Sequence, residues 1–383
     1  MQINPVLTAM RTYPYLKLDQ AKAELLGRGA EVIDFGVGDP REKTDPRIRQ
    51  LLAESITEIS SYPAAAGLPP LRAAIAGWYE RRFGVQLDPD REVVPSLGSK
   101  EAIFTLPLVV GDARGRKNLV LVPEPAYPVY ERGALFAGLE VQRLPLLERN
   151  HFLPDFSPID AAAWQRVAMV WVNYPNNPTA ALAPPDFFEQ LSQLAIEHDF
   201  VLASDEAYGE IYFGQPPGSA LQVRDRRNVC VVNTLSKRSS MTGYRSGAIV
   251  ASPELIAALK AFRPTVGVAP QEFIQKAAVW AWQDEDHVAD MRRSYAAKRE
   301  VLLAALRGQG LRVAGSEATF YLWVEVPHEQ PAEDFAVRLL DSGIVVAPGS
   351  YFGPAGEGYV RFALVPTLAE CRRAAEILGK IEL

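Results

Sequence analysis

Lys237 is the residue of this chain best placed for covalent chemistry. It lies in TLSKRSSMTGYRSG, Thr234 to Gly247, just after the apolar run that starts at Val229. Small hydroxyl residues, the cations Arg238 and Arg245, and the glycines Gly243 and Gly247 surround it. The preceding CVVNTL is short, β-branched and bounded by turn residues, the pattern of a buried strand. A lysine at the end of such a strand loses water and sits among cations. Both effects lower its pKa and free the amine to attack a carbonyl. Thr234, Ser236 and Arg245 supply phosphate donors in the same loop, and arginine can grip two oxygens at once. A lysine beside a phosphate cradle suits a Schiff-base cofactor such as pyridoxal phosphate. Alone, the stretch reads equally well as a surface turn, and the discrimination has to come from elsewhere in the chain.

A pyridoxal ring makes further demands. Its pyridine nitrogen needs a buried carboxylate, and Asp205 in ASDEAYGEIYF stands at a strand end where it can serve. Glu206 follows directly and points to the other face, since side chains alternate along a strand. Tyr208 and Asn177 are candidate donors to the ring oxygen. Tyr127 is a candidate to stack on the ring face. Ser99 and Lys100, in LGSKE, add phosphate donors where a strand turns into a helix start, a geometry that binds anions. Each match is weak singly, because an aspartate at a strand end often only caps a turn.

These residues need a framework to bring them together. The pattern predicts strands over Val32–Phe35, Val93–Pro95, Asn118–Val122, Glu140–Leu144, Val167–Val172, Val201–Ser204 and Val229–Asn233. Helices are predicted over Leu18–Arg28, Pro46–Ile59, Pro70–Phe83, Ala102–Val110, Ala126–Ala137 and Pro185–His198. From Asn118 onward this alternation argues for a mainly parallel sheet with right-handed crossovers. Ligands then bind beyond the carboxyl ends of the strands, where Gly98, Tyr127, Asn177, Asp205 and Lys237 all fall. Beyond Gln271 the character changes to a long helical stretch, then strands over Leu311–Ala314, Thr319–Val326, Val345–Val346 and Tyr359–Leu364, with helices at Ala332–Ser342 and from Thr367. The expected division is a large domain, 46–275, and a smaller α+β domain formed by 1–45 with 276–383.

Composition narrows the class. A chain of 383 residues with 48% hydrophobic and 22% charged residues suits a soluble globular protein, long enough for two domains or for one large α/β domain with a smaller companion. A net charge of −6 leaves no electrostatic footprint for nucleic acid. Four scattered histidines and two distant cysteines, Cys230 and Cys371, suggest neither a metal site nor a disulfide framework. MQINPVLTAM does not read as a secretory signal and no apolar run reaches membrane-spanning length, so a cytoplasmic location is expected.

The motifs FGVGDP, YPAAAGLPPLRAAIAGWY, GSKEAI, PAYPVY, NYPNNPT, SDEAY, TLSKRSSMTGYRSG and GEGYVRFAL together resemble the class I/II pyridoxal phosphate-dependent aminotransferases of fold type I, across nearly the whole chain. The resemblance implies an α/β fold with a seven-stranded, mainly parallel sheet between helices. It implies Lys237 as Schiff-base lysine and proton shuttle, eight residues before the phosphate arginine Arg245. Asp205 is implied as pyridinium partner, Tyr208 and Asn177 as donors to the ring oxygen, and Tyr127 as the stacking ring. Arg361, for which a surface ion pair is the lesser reading, is implied to hold the substrate α-carboxylate with Gly38 and Asn177. Tyr62 is similar to a tyrosine that reaches the neighbouring subunit's phosphate, which implies a homodimer with shared sites. Ala180 departs from the usual NPTG, which bears on a turn and not on the chemistry.

TLSKRS with GYRSG, WAWQDEDHV and APGSYF are similar to N-succinyldiaminopimelate aminotransferases. That implies N-succinyl-LL-2,6-diaminopimelate as amino donor and 2-oxoglutarate as acceptor, with Arg238, Arg263 or Lys100 meeting the distal carboxylate. LL-diaminopimelate, aspartate, alanine and aromatic aminotransferases share the same catalytic residues. A β-lyase and a cofactor-binding sensor are the rivals from other classes. Tyr13 and Tyr15 either close over the substrate or simply pack.

Overall fold

The computed structural model describes residues 1, 3–9, 15–29 and 31–381, with only the backbone described at 9, 15–19 and 21. Tyr13 and the Tyr15 side chain thus lie outside the described residues. Thirteen strands are described: β1 (Ile33–Asp34), β2 (Val93–Ser96), β3 (Leu119–Glu124), β4 (Glu140–Pro145), β5 (Val167–Asn173), β6 (Val201–Asp205), β7 (Val229–Thr234), β8 (Gly247–Ala251), β9 (Val313–Gly315), β10 (Tyr321–Glu325), β11 (Ile344–Val345), β12 (Ala347–Pro348) and β13 (Tyr359–Ala363).

A seven-stranded sheet runs in the order β2-β8-β7-β6-β5-β3-β4. Only β8 runs against its neighbours; the pairs from β7 through β4 are parallel. The sequence patterning does not delineate β8, whose five residues GAIVA follow directly on the lysine loop. Every residue of β5, VAMVWVN, is buried, as expected for a parallel strand covered on both faces. Val170 and Val172 join the layer of Trp78, Leu191 and Trp282, whereas Met169 and Trp171 join that of Ile103, Leu106 and Leu259. The two-residue period of the strand therefore feeds two separate apolar layers, and these hold the sheet rigid beneath its carboxyl ends.

A second core collects around the four-stranded antiparallel sheet β12-β13-β10-β9 and the parallel pair β1–β11. It contains Phe35, Tyr295, Leu306, Phe335, Phe362 and Leu378. The helix Glu272–Gln283 packs on Pro69–Phe83 and Pro46–Glu54, whereas the next helix, Asp286–Gly308, packs on Leu368–Leu378. Adjacent helices thus serve different sheets.

Several helices end or begin elsewhere than the periodicity implies. Those expected from Leu18 and Ala102 begin earlier, at Tyr15 and Ser99. The helix expected over Pro46–Ile59 stops at Glu54, and Ile56 is 69% exposed instead of facing a core. The sequence there, SITEISSY, is rich in serine and β-branched residues, which lower helix propensity. The helix expected from Ala126 begins at Val129, with Pro128 as its cap; Pro125 and Pro128 have no N–H to carry an earlier turn. Ala180 sits in the left-handed region at φ 60° and closes its turn with a bond from its N–H to the Asn176 carbonyl. Among the described residues no helix is long and apolar enough to cross a membrane.

Candidate active site

The carboxyl ends of the central strands open into a cavity of about 480 Å³. Ser99, Lys100, Tyr127, Asn177, Asp205, Tyr208, Ser236, Lys237, Arg245, Gly38 and Arg361, all expected from the sequence, line it. Thr234 does not. Its hydroxyl accepts from the Ser236 N–H at 3.1 Å and donates to the Ser246 carbonyl at 2.9 Å, capping the short helix Leu235–Arg238. Tyr62 is fully exposed in the single chain and does not line its own cavity.

Lys237 rides on that short helix directly after β7. Its Nζ donates to the Gly38 carbonyl at 2.8 Å. Burial pushes its pKa down to about 8, helped by Arg361, Arg245 and Lys100 and opposed by Asp39. The amine is therefore close to its reactive, uncharged form near neutral pH. Gly38 has no room for a side chain, because a Cβ there would come within 2.2 Å of the Tyr321 hydroxyl.

Asp205 ends β6 and is 4% exposed. Tyr130 donates to its Oδ2 at 2.6 Å and the Ala207 N–H to its Oδ1 at 3.1 Å. Even so, burial raises its pKa to about 6. A carboxylate held this dry gains from a cation placed against it. Glu206 faces away, as strand alternation requires, and accepts from Ser204 and the Ala220 N–H.

At the opposite end, Gly98 caps the helix Ser99–Val110 at φ 76°, ψ 173°, a conformation open essentially to glycine alone. A Cβ there would lie 2.4 Å from Arg245 Nη2. The Arg245 guanidinium is aimed by the carbonyls of Thr242 and Leu97, at 2.7 and 3.1 Å. Ser99, Ser236, Arg245 and a helix N-terminus make a donor set suited to a phosphate.

Arg361 sits on β13, 3% exposed, and donates to Asn177 Oδ1 and the Gly36 carbonyl, both at 2.8 Å. The Tyr321 and Phe352 rings flank its guanidinium at 4.2 and 4.5 Å. Tyr208 shares a hydrogen bond with Tyr321, hydroxyl to hydroxyl, at 2.9 Å. Lys100 stands 5.8 Å from the Tyr127 ring. Tyr130, Tyr321, Phe352, Asn173 and Asp39 also line the cavity and were not expected from the sequence. Only Tyr130 carried a signal, as an aromatic three residues beyond Tyr127 in the stretch predicted as a helix from Ala126. Of the three cations considered for a distal carboxylate, Lys100 alone lines the cavity. Arg238 and Arg263 are wholly buried, the latter against Glu101 and the Ala65 carbonyl.

The residues present fit pyridoxal 5′-phosphate: a desolvated carboxylate at one end, a depressed lysine beside the ring position, and a cradle at Gly98 that only a missing side chain keeps open. Fold and site thus define a pyridoxal phosphate-dependent enzyme of fold type I, with a large α/β sheet and a smaller α+β part. The chain belongs to the class I and II aminotransferase family, whose profile matches residues 30–378. The LL-diaminopimelate aminotransferase of Nitratidesulfovibrio vulgaris is 38% identical over 382 residues, 98% of each chain. Among solved structures, substrate-bound BacF from Bacillus subtilis superposes with a TM-score of 0.93 at 31% identity, covering 100% of this chain and 99% of that one. A probable N-succinyldiaminopimelate aminotransferase from Thermus thermophilus gives 0.89 at 31% identity, covering 96% and 99%. The chain is a pyridoxal phosphate-dependent aminotransferase, exchanging an amino group between an amino donor and a 2-oxo acid.

Proposed function

We propose that the amino donor is a diaminopimelate-type dicarboxylate, LL-diaminopimelate ahead of its N-succinyl derivative, with 2-oxoglutarate as acceptor. The observation that carries this is the charge of the side chains that line the cavity besides Arg361. Asp39 is exposed there, and its carboxylate suits a distal ammonium; neither Arg238 nor Arg263 reaches the cavity to meet a succinyl carboxylate. The relative named for LL-diaminopimelate supports the same order at 38% identity. The N-succinyl reading is favoured by the Thermus neighbour and by Lys100 in the cavity wall.

In this reading Asp205 would hold the cofactor's pyridine nitrogen, and Tyr208 and Asn177 would donate to its ring oxygen. Tyr127 would stack on the ring, and Ser99, Lys100, Ser236 and Arg245 would hold the phosphate. The bound cofactor supplies an electron sink that makes the substrate's α-proton acidic. Arg361 and Asn177 orient the α-carboxylate so that this proton lies toward Lys237. The Lys237 amine removes it and returns a proton, a base suited to the task because burial holds its pKa near working pH. Two copies complete each site, Tyr62 of each copy reaching the phosphate of the other; the exposed Ile56, Ile59 and Tyr62 supply an apolar contact for that pairing.

A donor screen with 2-oxoglutarate tests the substrate. Glutamate should form fastest with LL-diaminopimelate and more slowly with the N-succinyl derivative. The reverse order would remove LL-diaminopimelate from first place, and pyruvate with ammonia in place of glutamate would point to a β-lyase.

A further inference from the structure

The three residues after Lys237 are all tied to one place. Arg238 is 1% exposed, with its guanidinium 5.0 Å from each of the Trp78 and Trp282 rings. Its Nη2 donates to Glu285 at 3.0 Å. Ser239, also 1% exposed, is 2.8 Å from His287 Nε2, and His287 Nδ1 is 2.6 Å from Asp284 Oδ2. Ser240 donates to the Glu42 carbonyl at 2.7 Å. Glu42 in turn is held by Lys298 and Tyr295 of the helix Asp286–Gly308.

Asp284 and Glu285 are the two residues between the helix packed on the large sheet's layers and the helix packed on the small sheet. The serine, histidine and aspartate have hydrolase-like spacing, but burial of Ser239 leaves no path for a substrate to its hydroxyl. A chain of hydrogen bonds whose inner members Arg238, Ser239 and His287 are buried fixes backbone instead, because breaking the Ser239–His287 link would leave a buried polar group unpaired. Trp280 stacks on the His287 ring at 5.4 Å.

We propose that Ser239, His287 and Asp284, with the Arg238–Glu285 pair, are positioning residues that clamp the Lys237 segment to the junction between the two helices. His287 touches neither the cavity nor Lys237. It acts through Ser239, two residues beyond the lysine, and so sets where the Lys237 amine points. Substrate grip depends on Arg361 and Asn177 and does not pass through this clamp. The inference rests on the aminotransferase reading for its kinetic arm and not for its structural arm.

The test uses Ser239→Ala and His287→Ala, singly and together, in the full chain. The first readout is amide hydrogen exchange over 234–241 in the cofactor-free protein, and the second is kcat and KM with cofactor loaded. Exchange over that segment should quicken, and kcat should fall about tenfold while KM moves by less than about twofold, as for a displaced reacting group. The double variant should be no worse than the poorer single one, because both break one chain. Leu306→Ala, in the second core, should lower Tm without either effect. Unchanged exchange over 234–241 in Ser239→Ala would overturn the proposal, even if His287→Ala fails to fold. So would losses that add, or both effects appearing in Leu306→Ala. Absence of transamination by the unsubstituted chain would sink the functional reading and leave the exchange result to judge the clamp.

Discussion

At the scale of single residues, Lys237 and Asp205 are displaced in opposite directions by one cause. Burial favours the uncharged form of each, lowering the lysine to about 8 and raising the aspartate to about 6. The sign has a consequence for the cofactor-free chain. A lysine whose folded pKa lies below its ordinary value penalises the folded state while protonated. Its contribution to stability is therefore worst below about 8 and recovers as pH rises from there toward 10.5. In the proposed role of Lys237 the same titration would govern reactivity, since only a free amine is nucleophilic towards an aldehyde. Cofactor uptake followed by absorbance should therefore speed up with rising pH and level off above about pH 8. A rate that falls across this range would show that the lysine is not the group being titrated. Lys237→Ala should show no lysine-linked absorbance at any pH.

At the scale of elements, the turn from β2 into the helix Ser99–Val110 depends on a missing side chain. Gly98 occupies a conformation that costs other residues about 1–3 kcal/mol. The atom that an added Cβ would strike is the far end of Arg245, 2.4 Å away, which can swing aside. Gly98→Ala should thus lose no more than this backbone cost in stability while displacing the guanidinium proposed to hold the phosphate. A weaker affinity for pyridoxal phosphate, together with an unfolding midpoint lowered by several degrees, is the expected pairing. Unchanged affinity, by equilibrium dialysis, would mean that Arg245 does not hold the phosphate. The clamp behind Lys237 is a second element-scale device. Placing the Arg238 charge beside the Trp78 and Trp282 rings offsets part of its desolvation, by about 2 kcal/mol for a buried cation–π contact.

For the whole molecule, the segment 55–62 bears on assembly. Ile56, Ile59 and Tyr62 are 69%, 81% and 102% exposed, unlike the apolar residues of either core. In the proposed homodimer this segment is covered and Tyr62 enters the partner's site. Sedimentation should give twice the 42.1 kDa chain mass, and Ile59→Asp should shift it toward the single chain with loss of bound cofactor. A wild-type chain that sediments singly with its cofactor retained would exclude shared sites.

Much of this was legible in the sequence, for a local reason. Strand ends, glycine turns and the lysine loop are encoded by residues within a few positions of one another, so β5, β6, β7 and the cavity residues Asp205, Lys237 and Arg245 follow from pattern and motif. Assigning Thr234 to the phosphate missed its other local use, because a hydroxyl at a helix start also caps. The helix projected through Ile59 failed because apolar spacing does not say whether a core is present to meet it. What only the tertiary structure decided are the relations between distant positions: Tyr130 on Asp205, Tyr321 crowding Gly38, and Ser239 on His287 across 48 residues. Burial decided the rest. A histidine beside WAWQDED, or an arginine after a lysine, has no fixed role until packing determines which neighbours remain once water has been excluded.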